Sequence, residues 1–315
     1  MTASVGARRI GRLILQGFVV AAVVVAGASP AYAARPTGPG GGGGHGGGTT
    51  PATGNDISYP QCGATLPTGA AFGIVGLNDG LANTLNPCFG PSSAYPGIAH
   101  SELYWAVTAT TGATPQPVAQ LYVNTADPGN VVNGTVIADW PTSGTTPYGT
   151  CATTTVSVSG TTDTVGENST ACAWQYGHDR ATQDAQWLAD AASAINAALP
   201  APEVSGAASA YPWWLDVETG NSWTSDTAMN VADLQGMVAA LSGAGATSIG
   251  VYSTSSQWGT ITGGSSAGSL SGLPNWIPGA RNLSGAEKAC HDTSFTGGAV
   301  TLTQWVAQPD GDYGC

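Results

Sequence analysis

Short apolar runs alternate along the chain with segments in which apolar residues recur every three or four positions. Runs of the first kind predict buried strands, and the second pattern predicts helices that bury one face. The predicted strands are residues 57–59, 72–77, 119–124, 213–217, 249–252, 275–277 and 300–306. The predicted helices are residues 102–110, 181–199 and 231–241, and the second is expected to begin near His178 and Asp179. This alternation favours an α/β fold with a parallel sheet.

The length of the patterned region indicates the type of sheet. Residues 55–315 form the predicted folded domain, whose length is close to the roughly 250 residues of a β/α barrel. We therefore expect a TIM-type (β/α) barrel, either regular or irregular. Residues 129–172 interrupt the alternation and are rich in Thr, Ser and Gly. Thr and Val alternate over residues 153–158, which predicts a small β insertion held by a disulfide between Cys151 and Cys172.

The first 33 residues have the three parts of a secretory signal peptide. Three arginines, at positions 8, 9 and 12, precede an apolar run over residues 13–28 and an Ala-Tyr-Ala cleavage site at residues 31–33. A transmembrane anchor is the alternative, but the run is shorter than the roughly 20 residues that a span needs. Residues 34–54 follow as a Gly/Pro-rich linker. Export by the general or the twin-arginine route is compatible with this segment.

Charge excludes two classes of partner. The chain has 19 acidic and 7 basic residues, and a formal net charge of -12 at pH 7. Such a charge repels phosphate backbones and anionic lipids, so we expect neither nucleic-acid binding nor membrane attachment after signal cleavage. Charged residues make up 8% of the chain, against roughly 25% in ordinary soluble domains. This composition favours a secreted, extracellular protein, with cell-wall association as one option.

All six cysteines follow the predicted cleavage site, and an even number in an exported chain indicates disulfides. Six cysteines allow 15 connectivities. The simplest hypothesis joins neighbours along the chain: Cys62–Cys88, Cys151–Cys172 and Cys290–Cys315. The sequence contains neither a Cys-x-x-Cys pair nor histidines at metal-ligand spacing. We therefore predict no metal site and no cofactor.

The segment with the strongest indication of chemistry is residues 211–219, which read Tyr-Pro-Trp-Trp-Leu-Asp-Val-Glu-Thr. Because side chains alternate along a strand, Trp214, Asp216 and Glu218 are expected to face the same side. Two carboxylates this close cannot both ionise freely, so the pKa of one rises and a proton donor results. Glycosidic-bond hydrolysis uses such a pair. An ordinary polar strand end is the alternative interpretation.

Aromatic residues support a sugar-binding cleft. The chain contains ten tryptophans, and an indole ring can stack on the C–H face of a sugar while its N–H binds a hydroxyl. Most of the tryptophans, including Trp187, are expected to fill the core. Trp214 and Tyr252 are the two aromatic residues that we predict to line the cleft and bind substrate.

Both ends of the predicted domain carry acidic motifs. Residues 55–61 read Asn-Asp-Ile-Ser-Tyr-Pro-Gln, and residues 302–315 contain Gln-Trp-Val followed by Asp310 and Asp312. With the central Asp-x-Glu, these motifs resemble the family 25 glycoside hydrolases, which are β/α-barrel lysozymes. The chain also resembles the glycoside-hydrolase-like domains of secreted actinobacterial proteins. The resemblance spans nearly all of residues 55–315.

The resemblance implies roles for five carboxylates. Asp56 is expected to contact the substrate, Asp216 to orient its amide or stabilise positive charge, and Glu218 to act as general acid. Asp312, with Asp310 as the alternative, is expected to be the C-terminal carboxylate. The implied reaction is cleavage of the link between N-acetylmuramic acid and N-acetylglucosamine in peptidoglycan.

The chain also departs from the lysozyme motifs. It has Tyr-Pro-Gln after the opening Asp-Ile-Ser, Gln-Trp-Val in the last motif, and Tyr-Gly-Cys after the last acid. These departures leave two alternatives to hydrolysis, because fold does not imply function. One is a catalytically inactive glycan-binding barrel. The other is a disulfide-stabilised surface protein whose partner is another protein.

Overall fold

Eight strands close into a barrel in the computed structural model, which describes residues 53–112 and 114–315. In chain order the strands are β1 Thr53–Ile57, β2 Gly73–Gly76, β3 Ala119–Asn124, β4 Trp213–Asp216, β5 Ile249–Tyr252, β6 Asn275–Ala280, β7 Val300–Trp305 and β8 Gly311–Gly314. Strands β1 to β7 pair in parallel with their neighbours, and β8 lies antiparallel between β7 and β1. The expected α/β barrel is therefore present, but its last strand is reversed relative to a regular (β/α) barrel.

Five α-helices accompany the strands: α1 Glu102–Thr108, α2 Thr170–Ala197, α3 Thr227–Gly243, α4 Ser255–Thr262 and α5 Leu283–Ala289. Short 3-10 helices cover Tyr59–Gln61, Ile98–His100, Ala208–Ala210 and Gly268–Leu270. The N-terminus of α2 is capped by Ser169, whose side chain accepts a hydrogen bond from the Cys172 N–H, and Asp226 caps α3 in the same way. Across the described part of the chain, none of the helices has the length and apolarity that a membrane crossing requires.

The predicted elements agree with the structure to different degrees. Strands β3 and β5 have the predicted bounds, whereas β1 begins at Thr53, within the stretch assigned to the linker. The rest of that linker and the predicted signal peptide lie outside the described residues. Helix α2 begins eight residues before His178, so the predicted start was wrong. Helices α4 and α5 and strand β8 were not predicted.

Helix α2 was predicted too short because its first turns bury small residues. Ala171, Ala173 and Gly177 are buried there. A side chain at position 177 would collide with the Asp233 backbone of α3, so glycine permits the close approach of the two helices. Small residues of this kind give no clear apolar periodicity, although they are buried against α3.

The predicted insertion and disulfides are present. Between β3 and α2 the chain forms three hairpins, which pair Val131–Val132 with Thr135–Val136, Thr145–Thr146 with Gly149–Thr150, and Thr153–Val158 with Thr161–Gly166. The cysteines form the pairs Cys62–Cys88, Cys151–Cys172 and Cys290–Cys315, which confirms the neighbour pairing. The insertion is therefore joined to α2 through Cys172.

Alternation along the strands divides the core in two. Trp213 and Leu215 of β4 point outward and belong to the large cluster between the barrel and its helices. Trp214 belongs to a separate cluster inside the barrel, with Phe72, Ile74, Trp276 and Leu302. The barrel interior is thus filled with side chains below the carboxyl ends of the strands, and these ends are where polar residues begin.

Candidate active site

The carboxyl ends of the parallel strands surround a cavity of about 190 Å³. Eight residues form its wall: Asp56, Tyr122, Asp216, Glu218, Tyr252, Trp276, Gln304 and Asp310. A second cavity of about 200 Å³ shares Asp56, Tyr122 and Asp310 with the first. Five of the eight wall residues are among the site residues predicted from the sequence. Segments more than 90 residues apart in the chain therefore meet at one mouth.

Asp216 and Glu218 occupy different depths of this cavity. Asp216 ends β4 and is 7% exposed, whereas Glu218 follows the strand and is half-buried. Burial, together with the charges of Glu218 and Asp56, raises the pKa of Asp216 well above its usual value. The raised pKa expected for one member of the pair therefore belongs to Asp216. Glu218 Oε1 accepts a hydrogen bond from Gln257 Nε2 at 3.3 Å.

Asn124, the last residue of β3, supports Asp216. Its amide is oriented with the NH2 group toward the carboxylate, because the opposite orientation would place two acceptors against each other. In this orientation Nδ2 donates to Asp216 Oδ2 at 3.0 Å, and the amide oxygen accepts from the Gly80 N–H at 3.3 Å. The other Asp216 oxygen is buried and has no hydrogen-bond partner among the described residues.

Asp56 is the last acceptor of a short hydrogen-bond chain that begins at Tyr252 and passes through Gln304. Gln304 Nε2 donates to Asp56 Oδ2 at 2.9 Å, and Tyr252 Oη donates to Gln304 Oε1 at 3.0 Å. Burial raises the pKa of Asp56 to about 6, although the bond from Gln304 opposes the shift and the charge of Asp310 adds to it. Asp56 is therefore ionised at neutral pH and protonated in moderate acid. Tyr252 is in the cavity wall, as predicted.

Of the two C-terminal acids, Asp310 lies in the cavity wall and Asp312 does not. Asp310 precedes β8 and forms part of the cavity wall, and its Oδ1 accepts a hydrogen bond from the Ala307 N–H at 3.2 Å. Asp312 is completely buried within β8, outside the wall, with Asp56 and Trp276 as neighbours. Burial and the neighbouring Asp56 raise the pKa of Asp312 well above its usual value. Asp312 is predicted above Asp310 as the C-terminal carboxylate and Asp310 as a substrate-binding residue, and of the two only Asp310 lies in the cavity wall.

Trp214 does not line the cleft, which corrects the prediction. It is 4% exposed and packs edge-on against Trp276, with ring centroids 5.9 Å apart. Its Nε1 donates to Gln120 Oε1 at 2.9 Å, inside the barrel. On a tilted barrel strand the residue two positions before Asp216 lies one layer deeper, so the same alternation that aims both inward places only Asp216 at the mouth.

Sequence reasoning missed Tyr122, Trp276 and Gln304. Tyr122 lies over Gly76, where a Cβ atom would come within 2.5 Å of the phenol ring, so glycine at this position makes room for the side chain. Trp276 contacts Tyr252 edge-on, with ring centroids 4.5 Å apart. Each of the three belongs to a barrel strand and points inward. Gln304 lies in the C-terminal motif identified from the sequence. Because side chains alternate along a strand, Gln304 and Trp305 face opposite sides, and this could have indicated that Gln304 points inward.

One group of residues has ligand atoms close enough to hold a metal. Among the described residues it consists of Cys62, Cys88 and Glu102, whose ligand atoms lie within 4.8 Å of one another. Both sulfurs are joined in a disulfide, however, and a disulfide sulfur is not a thiolate ligand. These residues therefore do not fit a metal site.

Comparison with known proteins finds similarity to lysozymes over part of the chain. A family model described as "Lysozyme-like protein 1" matches residues 204–285, which include Asp216 and Glu218. A protein of Dictyostelium discoideum described as "Probable GH family 25 lysozyme 4" is 43% identical over 63 residues, or 20% of this chain. The match spans 28% of that relative's length. The predicted resemblance to family 25 lysozymes is confirmed, and the resemblance to actinobacterial proteins stays a prediction.

Solved structures that are similar to this chain include two muramidases and a lysozyme. The muramidase from Trichobolus zukalii has a TM-score of 0.41 and 14% identity, with 84% of this chain and 93% of that chain covered. The muramidase from Acremonium alcalophilum has a TM-score of 0.42 and 15% identity over the same shares. The lysozyme from Streptomyces coelicolor has a TM-score of 0.41 and 15% identity, with 85% and 93% covered.

Proposed function

We propose that this protein is a secreted glycoside hydrolase that cleaves the glycan of peptidoglycan between N-acetylmuramic acid and N-acetylglucosamine. The observation that carries the proposal is the convergence of Asp56, Asp216, Glu218 and Asp310 on one cavity at the barrel mouth. Similarity to lysozymes over the segment with Asp216 and Glu218 supports the reaction class. We also assign the barrel to the TIM type, with a reversed last strand.

Glu218 is the proposed proton donor. It is the half-buried member of the Asp-x-Glu pair and forms part of the cavity wall, so a glycosidic oxygen can reach it. General acid catalysis of this step requires a carboxyl group within hydrogen-bond distance of the leaving oxygen. Gln257 donates to Oε1, which fixes the orientation of the side chain and leaves the second oxygen free for the substrate.

The other carboxyl groups have different proposed roles. Burial and the neighbouring carboxylates raise the pKa of Asp216, which favours the protonated form that can donate a hydrogen bond to a substrate amide oxygen. Asp56 is ionised above about pH 6 and can stabilise positive charge that develops on the sugar. Asp310 adds a carboxylate on the same side as Asp56. Tyr252 and Trp276 supply the aromatic wall.

Secretion is part of the proposal. The basic, apolar and small-residue parts of the N-terminal segment support export. Three disulfides support an oxidising compartment, which is where cell-wall glycan is met.

The test is release of reducing ends from purified peptidoglycan. Wild-type protein should release them, and Glu218→Gln should abolish the release because the amide cannot donate the proton. Glu203→Gln is the matched control, since Glu203 is exposed on the loop before β4 and should leave the rate unchanged. Equal, background-level release by wild type and Glu218→Gln contradicts hydrolysis. Retained binding to cell walls in that case would instead support the inactive glycan-binding barrel.

A further inference from the structure

A line of buried polar residues connects helix α2 to the barrel mouth. Asp184 of α2 and Asn78, which follows β2, are both completely buried. Asn78 Nδ2 donates to Asp184 Oδ1 at 3.0 Å, and Asn78 Oδ1 accepts from the backbone N–H of Asn124 at 2.9 Å. The Asn124 side chain then donates to Asp216 Oδ2 at 3.0 Å. Three successive hydrogen bonds thus join an outer helix to a cavity carboxyl group.

The geometry restricts how these groups can move. An asparagine amide has a carbonyl and an NH2 group, and Asn78 uses one for Asn124 and the other for Asp184. If Asp184 did not accept, a buried N–H donor would have no partner, and the amide would have a reason to rotate. Rotation of Asn78 would release the backbone of Asn124, which is the residue that holds Asp216.

We propose that Asp184 and Asn78 are positioning residues that act through Asn124 to fix the carboxyl group of Asp216 for catalysis. This inference rests on the proposed function. Asp184 does not touch the cavity, and its effect is on geometry: it fixes the Asn78 amide, which fixes the end of β3. An asparagine at position 184 can accept the same hydrogen bond, whereas a leucine of similar size cannot.

A second buried pair provides a matched control. Asn86 Nδ2 donates to Glu102 Oε2 at 2.7 Å, and both residues are buried. As in the first pair, an asparagine that follows β2 binds an acid on a helix, here α1. Asn86 donates also to the Gly76 carbonyl, and its Oδ1 accepts from the Cys88 N–H. Neither Asn86 nor Glu102 forms part of the active-site cavity wall. Their side chains also form no hydrogen bond to a residue of that wall.

The experiment compares Asp184→Leu, Asp184→Asn and Glu102→Leu in the full chain. Turnover of peptidoglycan and titration of the Asp216 carboxyl carbon by NMR, in 13C-labelled protein, are measured for each. We expect Asp184→Leu to lower kcat by about tenfold or more with KM nearly unchanged, because a small displacement of a catalytic group lowers the rate steeply. Its Asp216 midpoint should move to higher pH, since a donor to the carboxylate is weakened. Asp184→Asn should restore both values, and Glu102→Leu should match wild type in both.

If Asp184→Leu does not fold, Asn78→Ala with Asn86→Ala as control asks the same question through the other member of each pair. Equal Asp216 midpoints and equal turnover in Asp184→Leu and Glu102→Leu, or in the two alanine variants, would overturn the inference. The titration needs no substrate. Absence of turnover in wild type would therefore count against the proposed function alone, while an Asp216 midpoint that moves only in the Asp184 and Asn78 variants would still support the positioning role.

Discussion

Gln304 donates a hydrogen bond to Asp56 across 2.9 Å, and this bond joins two strands that are separated by β8 in the barrel. The two residues are 248 positions apart in the chain. The bond stabilises the charged form of Asp56, whose pKa burial raises to about 6. The ionisation of Asp56 therefore depends on a residue near the other end of the chain.

Gln304→Met should shift the acidic limb of the pH–activity profile to higher pH. Without the donor, the pKa of Asp56 rises above 6, so the carboxylate form is lost at a higher pH. We expect a larger loss of rate in moderate acid than at pH 8 or so. The measurement is the pH profile of reducing-end release. Gln120→Met, a change to another buried barrel glutamine that lies outside the cavity wall, should leave the midpoint in place.

The folded protein should be more stable in mild acid than in mild base. Burial raises the pKa of Glu102 and Asp127 to about 7 and that of Asp184 to about 8. The unfolded values are about 4, so the folded state binds more protons between these limits. This contribution is complete below pH 4 or so and is lost as pH rises through 7 and 8. Urea unfolding at about pH 5 and 8 should therefore show a lower free energy of unfolding at the higher pH.

Glu102→Gln tests the origin of this dependence, because the amide cannot titrate and the slope should become shallower. Glu203→Gln changes an exposed carboxylate and should leave the slope as in wild type. A free energy of unfolding that rises from mild acid to mild base would contradict the assignment of protons to these buried groups.

Substitution of Trp214 should lower stability and leave substrate binding unchanged, whereas substitution of Tyr252 should lower activity and leave stability nearly unchanged. Trp214→Phe removes the donor to buried Gln120, so the free energy of unfolding should fall by about 1–3 kcal/mol while KM for glycan stays constant. Tyr252→Phe removes a hydroxyl from the cavity wall and the bond to Gln304, so kcat/KM should fall with little change in Tm. Denaturant unfolding and kinetics of the two variants measure both effects. An unstable Tyr252→Phe and an inactive but stable Trp214→Phe would reverse the two assignments.

The disulfides at Cys151–Cys172 and Cys290–Cys315 should have similar effects on stability and different effects on activity. They close loops of 21 and 25 residues, so loss of either should cost about 3 kcal/mol by the chain-entropy estimate. Cys315 follows the strand that carries Asp312, whereas Cys151 belongs to the insertion. Replacing Cys290 and Cys315 by alanine should therefore lower kcat more than replacing Cys151 and Cys172. Thermal unfolding and turnover compare the pairs, and equal kcat values would show that β8 needs no such anchor.

Much of the barrel follows from local pattern. The bounds of β3 and β5 agree with the structure because both strands are short, mostly apolar runs with residues buried on two faces. Strand β8 escaped prediction because two glycines and an aspartate give it little intrinsic strand preference. It forms because β1 and β7 present unpaired edges on both of its sides, and that is information about tertiary structure.

The carboxyl groups of the site could be predicted, and their depths could not. Alternation places Asp216 and Trp214 on one face, but the tilt of the strand decides which of them reaches the mouth. The choice between Asp310 and Asp312 depends on the turn before β8, which sets Asp310 in the cavity wall and turns Asp312 into the interior. Asn124 and Gln304 act by hydrogen bonds to residues far away in sequence, which no local pattern indicates.

The reversed direction of β8 brings Thr53 into register with Tyr313, so the first barrel strand begins beside the end of the last one. Both points lie toward the amino ends of the parallel strands, on the face opposite the cavity. A carrier, a label or a solid support attached beside either residue would therefore leave the mouth unobstructed. This geometry makes the domain suitable for immobilisation with its acidic cavity turned toward an insoluble glycan.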